Sequence, residues 1–273
     1  MPPSISFFKY SATGNDFILI DNRTRQLHGD EEQLLRSMCE RKTGIGADGV
    51  LLIEEPDHAE CSFKMRYFNR DGREAEMCGN GARASSFHAC HHNLAGSQMR
   101  FEVSGRFYHA SVLGERVQLR VPKPFDLRLK PGVVLQGASA ALEEGGYINT
   151  GVPHYVLFVE AVDRIEVEKI GRGLRHHPYF QPAGTNVNFV EIVDANQLRI
   201  RTYERGVEEE TLACGTGAVA SALIAHLIKQ TAFPTVLSAP GGELRVMADD
   251  SFDAIALEGT VQLVFTGSCK VAL

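Results

Sequence analysis

A five-residue pattern that occurs twice constrains this sequence more than any other feature. Cys78-Gly79-Asn80-Gly81-Ala82 matches Cys214-Gly215-Thr216-Gly217-Ala218, and the second copy begins 136 positions after the first in a chain of 273 residues. Two weaker echoes keep the same order and nearly the same spacing. Thr13-Gly14 is matched by Thr150-Gly151, and Gly46-Ala47-Asp48 by Gly184-Thr185-Asn186. Recurrence at an almost constant offset across the whole chain is the mark of duplication. The chain is therefore read as two copies of one domain facing each other. Val121 to Pro131, with three prolines, is the natural linker.

Local patterning fits such a plan. Ile5 to Tyr10, Phe17 to Asp21, Val50 to Ile53, Ser62 to Phe68, Met99 to Val103, Phe107 to Leu113 and Val117 to Val121 are apolar or alternating runs. Short turns separate the later ones, which predicts mainly antiparallel pairing. Asp30 to Lys42 is expected to be a helix opened by an Asp cap, and a second helix is expected from near Gly79 toward His91. In the second half, Tyr155 to Ala161, Val187 to Val193, Leu198 to Tyr203, Glu243 to Met247 and Ile255 to Phe265 read as strands. Arg164 to Leu174 and Gly217 to Lys229 read as helices.

Each Cys-Gly-x-Gly-Ala follows a strand and opens a helix. The unpaired N–H groups at a helix start favour negative charge. A cysteine placed there is expected to have a lowered thiol pKa, and a substrate carboxylate can dock on the same N–H groups. Two such starts aimed at one carboxylate would leave a cysteine on each side of the neighbouring carbon. That arrangement suits inversion at an α-carbon: one thiolate removes the proton, and the opposite thiol returns one to the other face. The helix N-termini would stabilise charge growing on the carboxylate. Cys39, Cys61, Cys90 and Cys269 lack the glycine context and read as small buried hydrophobes.

At this point the sequence resembles the diaminopimelate epimerases. The resemblance is carried by Thr13-Gly14-Asn15-Asp16-Phe17, Gly44-Ile45-Gly46-Ala47-Asp48-Gly49, Phe68-Asn69-Arg70-Asp71-Gly72 and Met77 to Arg83. In the second half it is carried by Gly151-Val152-Pro153-His154, Asn186-Val187-Asn188-Phe189, Tyr203-Glu204-Arg205-Gly206 and Ala213 to Ala218. The resemblance implies an α/β (α+β) fold of two pseudo-symmetric domains, each a curled, mainly antiparallel sheet around a central helix, with the site in the cleft between them. It implies an N-terminal domain over 1–122, completed by 265–273, and a C-terminal domain over 123–264. It implies conversion of L,L-diaminopimelate to the meso form with no cofactor and no metal, serving lysine and peptidoglycan precursor synthesis. Cys78 and Cys214 would be the acid/base pair, with His154 beside Cys78 and Glu204 beside Cys214. Gly79, Asn80, Gly215 and Thr216 would offer backbone N–H groups to the reacting carboxylate, and Asn15 would lie near that end. Arg205, Asn69 and Asn186 would hold the distal end, since a guanidinium grips a carboxylate with two parallel bonds. Where the family often carries Asn, this chain has Val152, so any amide contact there would come from Asn188, another neighbour or water.

Composition narrows the partners. A net charge of −6 argues against a nucleic-acid or membrane-surface role, which would need a basic excess. No apolar run reaches the roughly 20 residues of a bilayer span, and the N-terminus lacks a leader pattern. Six irregularly spaced cysteines read as cytoplasmic thiols. The expected partner is thus a small molecule, and a homodimer is admitted without being required. Gly44 to Gly49 spells Gly-x-Gly-x-x-Gly, but a helix precedes it and a strand follows, the reverse of a dinucleotide loop. His88, Cys90, His91 and His92 lie on one helix without a shared face, so a polar helix end is expected there, not a zinc site. His176-His177-Pro178 reads as a loop. Three rival readings remain open: a racemase for proline or hydroxyproline, a non-catalytic binding protein of the same fold, and a thiol–disulfide redox protein.

Overall fold

A computed structural model describes residues 4–28, 30–75, 77–133 and 142–270. The chain divides into two compact units, Met1–Arg120 with Gly259–Leu273, and Val121–Glu258. The last three residues of the expected completing segment, 271–273, lie outside the described residues.

Unit one holds β1 (Ser4–Ala12), β2 (Asn15–Asp21), α1 (Glu32–Cys39), β3 (Gly49–Glu54), β4 (Lys64–Asn69), β5 (Glu74–Ala75), α2 (Gly79–His91), β6 (Gln98–Val103), β7 (Arg106–Leu113) and β8 (Arg116–Val121). The pairings β1–β2, β3–β4, β4–β5, β6–β7 and β7–β8 are antiparallel, while β2–β3 and β4–β6 are parallel. Strand β2 shows why the sheet is buried on both faces. Successive side chains point to opposite sides. Phe17 and Leu19 join the cluster containing Ala82 and Ala84 of α2, and Ile18 and Ile20 join Leu35 and Met38 of α1. A continuous apolar run results, with no polar alternation.

Unit two repeats the construction with β9 (Phe125–Leu129), β10 (Leu142–Asn149), β11 (Pro153–Val159), α3 (Val167–Arg175), β12 (Asn186–Ile192), β13 (Gln197–Glu204), β14 (Glu209–Thr211), α4 (Gly215–Lys229), β15 (Thr235–Ala239), β16 (Gly242–Ala248) and β17 (Ile255–Thr260). Here β11–β12 and β13–β15 pair parallel, and β9–β10, β10–β11, β12–β13, β13–β14 and β15–β16 antiparallel. Val156 and Phe158 face α4, while Tyr155, Leu157 and Val159 lie on the α3 side. Strand β18 (Gln262–Lys270) belongs to unit one and pairs antiparallel with β1.

The two central helices are buried all round. Asn80 to Ala89 of α2 and Gly217 to Ala225 of α4 are all buried, the pattern of a helix enclosed by its own domain. Among the described residues no helix is long and apolar enough to cross a membrane.

Several expected elements differ. Helix α1 starts at Glu32 without a side-chain cap, not at an Asp cap. It ends at Cys39 because Glu40 is extended, and the Met38 carbonyl then receives the N–H groups of Ile45 and Gly46. The proline-rich linker contains β9, whose residues are exposed but whose backbone pairs with β10. The helix expected from Arg164 is a 3-10 turn, Val162–Arg164, then extended Ile165, then α3. The run from Ile255 to Phe265 is two strands, broken where the Val261 N–H turns to the Glu115 carbonyl.

Candidate active site

Both cysteines occupy the same backbone position. Cys78 is the N-cap of α2 at φ −133°, ψ 116°, and Cys214 is the N-cap of α4 at φ −124°, ψ 110°. The extended conformation at an N-cap leaves the first helical N–H groups pointing past the cap side chain. In unit one the Gly81 N–H donates to Cys78 Sγ at 3.4 Å. The second glycine of each motif exists for close packing. A Cβ on Gly81 would meet Leu51 Cδ2 at 2.8 Å, and one on Gly217 would meet Asn188 Oδ1 at 2.4 Å and Cys214 Sγ at 3.3 Å. Glycine there lets each helix start sit directly on its sheet.

In unit one the turn between β1 and β2 builds the surroundings of Cys78. Thr13 and Gly14 both have positive φ, 43° and 87°, as a two-residue hairpin turn requires. The turn sets Asn15 beside α2, and a chain of hydrogen bonds fixes every amide in it. Arg83 Nη2 can only donate, so the atom of Asn80 that it meets at 2.7 Å is Oδ1. Asn80 Nδ2 therefore faces outward, donating to Asn15 Oδ1 at 2.6 Å and the Thr13 carbonyl at 3.3 Å. That turns Asn15 Nδ2 onto Asp48 Oδ2 at 3.0 Å. Asp48 is held in turn by Arg41, which also grips Asp16. Asp16 bonds Lys9 as well, and these two cations outweigh its burial and bring its carboxyl down to about 2. Both protons of the Asn80 amide are thus engaged, and what Asn80 retains for a ligand is its backbone N–H.

In unit two the corresponding surroundings of Cys214 are a second chain. The Thr202 hydroxyl donates to Asn188 Oδ1 at 3.0 Å, and Asn188 Nδ2 lies 3.0 Å from His154 Nδ1. With Nδ1 accepting, the imidazole proton sits on Nε2 and donates to Thr216 Oγ1 at 3.0 Å. The Thr216 hydroxyl is then left to donate to Cys214 Sγ at 3.4 Å. His154 is fully buried, and burial followed by the charge of Arg205 brings its pKa down to about 3, so the ring is neutral. Glu204 is raised by burial.

The electrostatics of Cys214 correct the expectation of a lowered thiol pKa at the helix start. Burial first, and the carboxylate of Glu204 second, push the Cys214 thiol up to about 12. The Thr216 hydroxyl and the N–H groups of Gly217 and Thr216 act in the opposite direction but are outweighed. Desolvation of a thiolate beside a like charge exceeds what a helix terminus returns.

The other sequence-derived residues fall as follows. Gly79 has no atom within 4 Å of where a Cβ would stand, so its backbone is open to a ligand, whereas a Cβ on Gly215 would meet Leu257 Cδ2 at 2.9 Å. Asn69 ends β4 and is exposed. Asn186 accepts the Arg205 N–H at 2.7 Å and donates to the Pro153 carbonyl at 3.0 Å, bracing the loop that carries Arg205. Among the described residues Arg205 forms no ion pair with the nearby glutamates. Glu208 pairs with Arg175 and Glu210 with Arg201, and Arg205 Nη1 bonds the Ala183 carbonyl. Asn188 is not the substitute for the family amide at Val152, because it is fully buried and committed to His154 and Thr202. His88 is not part of a polar helix end. It is buried, bonds the Tyr10 hydroxyl through Nδ1 at 3.0 Å, and burial lowers its pKa to about 3. Sequence reasoning assigned no role to Arg83 or Asp48. Both stood in the quoted motifs, but only the fold shows them bonded to Asn80 and Asn15.

Solved structures share this fold across nearly the whole chain. A PhzF-family phenazine biosynthesis protein from Bacillus anthracis superposes with a TM-score of 0.73 at 14% identity, covering 98% of this chain and 100% of that one. A hydroxyproline epimerase from Agrobacterium vitis gives 0.67 at 14% identity, over 99% and 94%. The chain thus has the fold of these proteins. Sequence comparison resolves it further. The diaminopimelate epimerase family model matches residues 7–115 and 146–264. The diaminopimelate epimerase of Aquifex aeolicus is 40% identical over 275 residues, covering 96% of this chain and 97% of that protein. That of Chlorobaculum tepidum is 41% identical over 263 residues, covering 94% and 98%. The chain belongs to the diaminopimelate epimerase family.

Proposed function

We propose that the chain interconverts L,L- and meso-diaminopimelate in the cytoplasm, by a two-base transfer of the α-proton. The observation that carries the reading is the repeated placement of a cysteine at the N-cap of a buried helix in each unit of a chain of this family. One cysteine, as thiolate, takes the α-proton, and the other, as thiol, returns a proton to the opposite face. Cys78 comes from the N-terminal unit (Met1–Arg120 with Gly259–Leu273) and Cys214 from the C-terminal one (Val121–Glu258). The N–H groups of Gly79, Asn80, Gly215 and Thr216 receive the reacting carboxylate, where negative charge grows in the transition state. Asn15 orients that end, while Asn69 and Arg205 hold the distal one and Asn186 braces the loop that carries Arg205. By the family pattern His154 serves Cys78 and Glu204 serves Cys214, and Thr216 gives His154 a further route to Cys214. The residues supply acid, base and charge stabilisation without a cofactor.

Incubation with L,L-diaminopimelate in heavy water tests this. Deuterium is expected at the inverted carbon, with proline left unexchanged. Cys78→Ala and Cys214→Ala are each expected to lose inversion. Full activity in either single variant would overturn the two-base scheme.

A further inference from the structure

Three neighbouring strands of unit two each place one polar residue on the face that packs α4. Val156 and Phe158 of β11, Val190 of β12, and Leu198 and Ile200 of β13 line that face with apolar side chains. Side chains alternate along a strand, so His154, Asn188 and Thr202 stand on the same face, with Asn188 directly opposite Thr202 in the β12–β13 register. All three are buried. They lie at the start of α4, where a Cβ on Gly217 would come within 2.4 Å of Asn188 Oδ1. Hydrogen bonds run without a break from Thr202 through Asn188, His154 and Thr216 to Cys214, with spacings of 3.0, 3.0, 3.0 and 3.4 Å.

The other half of the chain shows that the helix–sheet contact does not itself call for these polar groups. The residues 137 positions before His154 and Asn188 are Phe17 and Leu51, both buried in the cluster with Ala82 and Ala84 of α2. The strand pair that carries them is parallel in both units, β2 with β3 and β11 with β12. A Cβ on Gly81 would meet Leu51 as one on Gly217 would meet Asn188, so Leu51 and Asn188 fill the same place beneath their helix starts. Leucine suffices there for packing. Enclosing an amide and an imidazole instead costs desolvation that their hydrogen bonds do little more than offset. What Asn188 adds over leucine is its hold on His154.

We propose that Asn188 is a positioning residue that holds neutral His154 with its proton on Nε2, so that the Thr216 hydroxyl is committed to Cys214. The two ends of an amide are chemically distinct, one accepting and one donating. The Asn188 oxygen takes the Thr202 hydroxyl, which turns its NH2 toward His154 Nδ1 and bars a proton from that nitrogen. The Nε2 proton then goes to Thr216 Oγ1, and the single hydroxyl proton of Thr216 has Cys214 Sγ as its acceptor. With the imidazole proton on Nδ1 instead, bare Nε2 would compete for that hydroxyl proton, and a Cys214 thiolate would lose a donor. Asn188 acts through His154 and Thr216, not on the substrate. Its catalytic meaning rests on the epimerase reading.

The test reads the His154 tautomer by nitrogen NMR of the intact protein carrying isotope-labelled histidine, the His154 signals being those missing from His154→Gln. In the unsubstituted protein near neutral pH, Nε2 is expected to carry the proton and Nδ1 to be bare. A proton on Nδ1 there overturns the proposal, whatever the variants do. Asn188→Asp keeps the shape and replaces the donor by an acceptor. It is expected to move the proton to Nδ1, with kcat for diaminopimelate falling about tenfold and KM staying within about twofold. A folded Asn188→Asp in which Nε2 keeps its proton overturns the proposal, and so does one with Nε2 bare and kcat unchanged. Should Asn188→Asp fail to fold, Asn188→Leu puts the residue of the other half in its place. The single Nε2–H state is expected to be lost in that variant, and its persistence overturns the proposal. The tautomer is read without substrate, so failure of the epimerase reading would show separately, as absent deuterium incorporation with the Nε2–H state intact.

Discussion

Replacing Thr216 by valine isolates the link between His154 and Cys214. Valine has nearly the volume of threonine and no hydroxyl, so it removes two hydrogen bonds, 3.0 Å to His154 Nε2 and 3.4 Å to Cys214 Sγ, while the backbone N–H of residue 216 stays. The hydroxyl opposes the burial and the Glu204 charge that raise the Cys214 thiol. Without it the Cys214 thiolate becomes still less accessible, and on the proposed two-base scheme the step in which Cys214 acts as base slows. A hydrogen bond to a charged group contributes about 1.5–3 kcal/mol, which corresponds to a rate loss of about 10- to 150-fold. The long contact to sulfur places the effect toward the lower end. The substrates' own equilibrium is unaffected, so kcat/KM must fall by the same factor in both directions. The assay is deuterium incorporation from heavy water, run from each stereoisomer, with the thermal midpoint as control for folding. A Thr216→Val enzyme with kcat/KM within twofold of the parent would refute the reasoning that the hydroxyl supports Cys214.

The two glycines of one motif should separate packing from ligand access. Gly217→Ala drives a methyl to 2.4 Å from Asn188 Oδ1. Overpacking of this kind costs about 1–3 kcal/mol, an expected drop of about 2–12 °C in Tm by differential scanning calorimetry. Gly79→Ala meets nothing within 4 Å, so Tm should hold, while on the proposed binding mode kcat/KM falls because the methyl crowds the N–H groups that would receive the substrate carboxylate. Acid should destabilise the protein through His88 and His154. Each is held neutral with a pKa near 3, below the unfolded value of about 6.5. The unfolded chain therefore binds more protons as pH falls below about 6.5. Stability drops with a slope of about 1.4 kcal/mol per pH unit per histidine until pH nears the folded values. Asp16 joins only below about pH 4, where its own depressed pKa of about 2 begins to matter. Urea midpoints measured between pH 7 and 4.5 should fall steadily, and a flat profile would show that these histidines are not buried as bases.

What the sequence disclosed and what it concealed divide along a physical line. The helix starts at Cys78 and Cys214 were legible because a ligand-facing N-cap and a close helix–sheet contact both demand small residues at fixed offsets, and those offsets recur at Gly81 and Gly217. The strands facing two helices were legible as unbroken apolar runs, as at Phe17 to Ile20. Charge was not legible. An arginine in a helix reads as a surface residue by ordinary usage, yet Arg83 is wholly enclosed, and a cysteine at a helix start reads as a ready thiolate, yet Cys214 is pushed the other way. Both outcomes depend on desolvation, which is set by residues distant in sequence. Duplication conceals the same thing in another form. It reveals Asn80 and Thr216 as equivalents, and that equivalence hides how differently they bond: Asn80 is tied to a buried cation, Thr216 to a neutral imidazole.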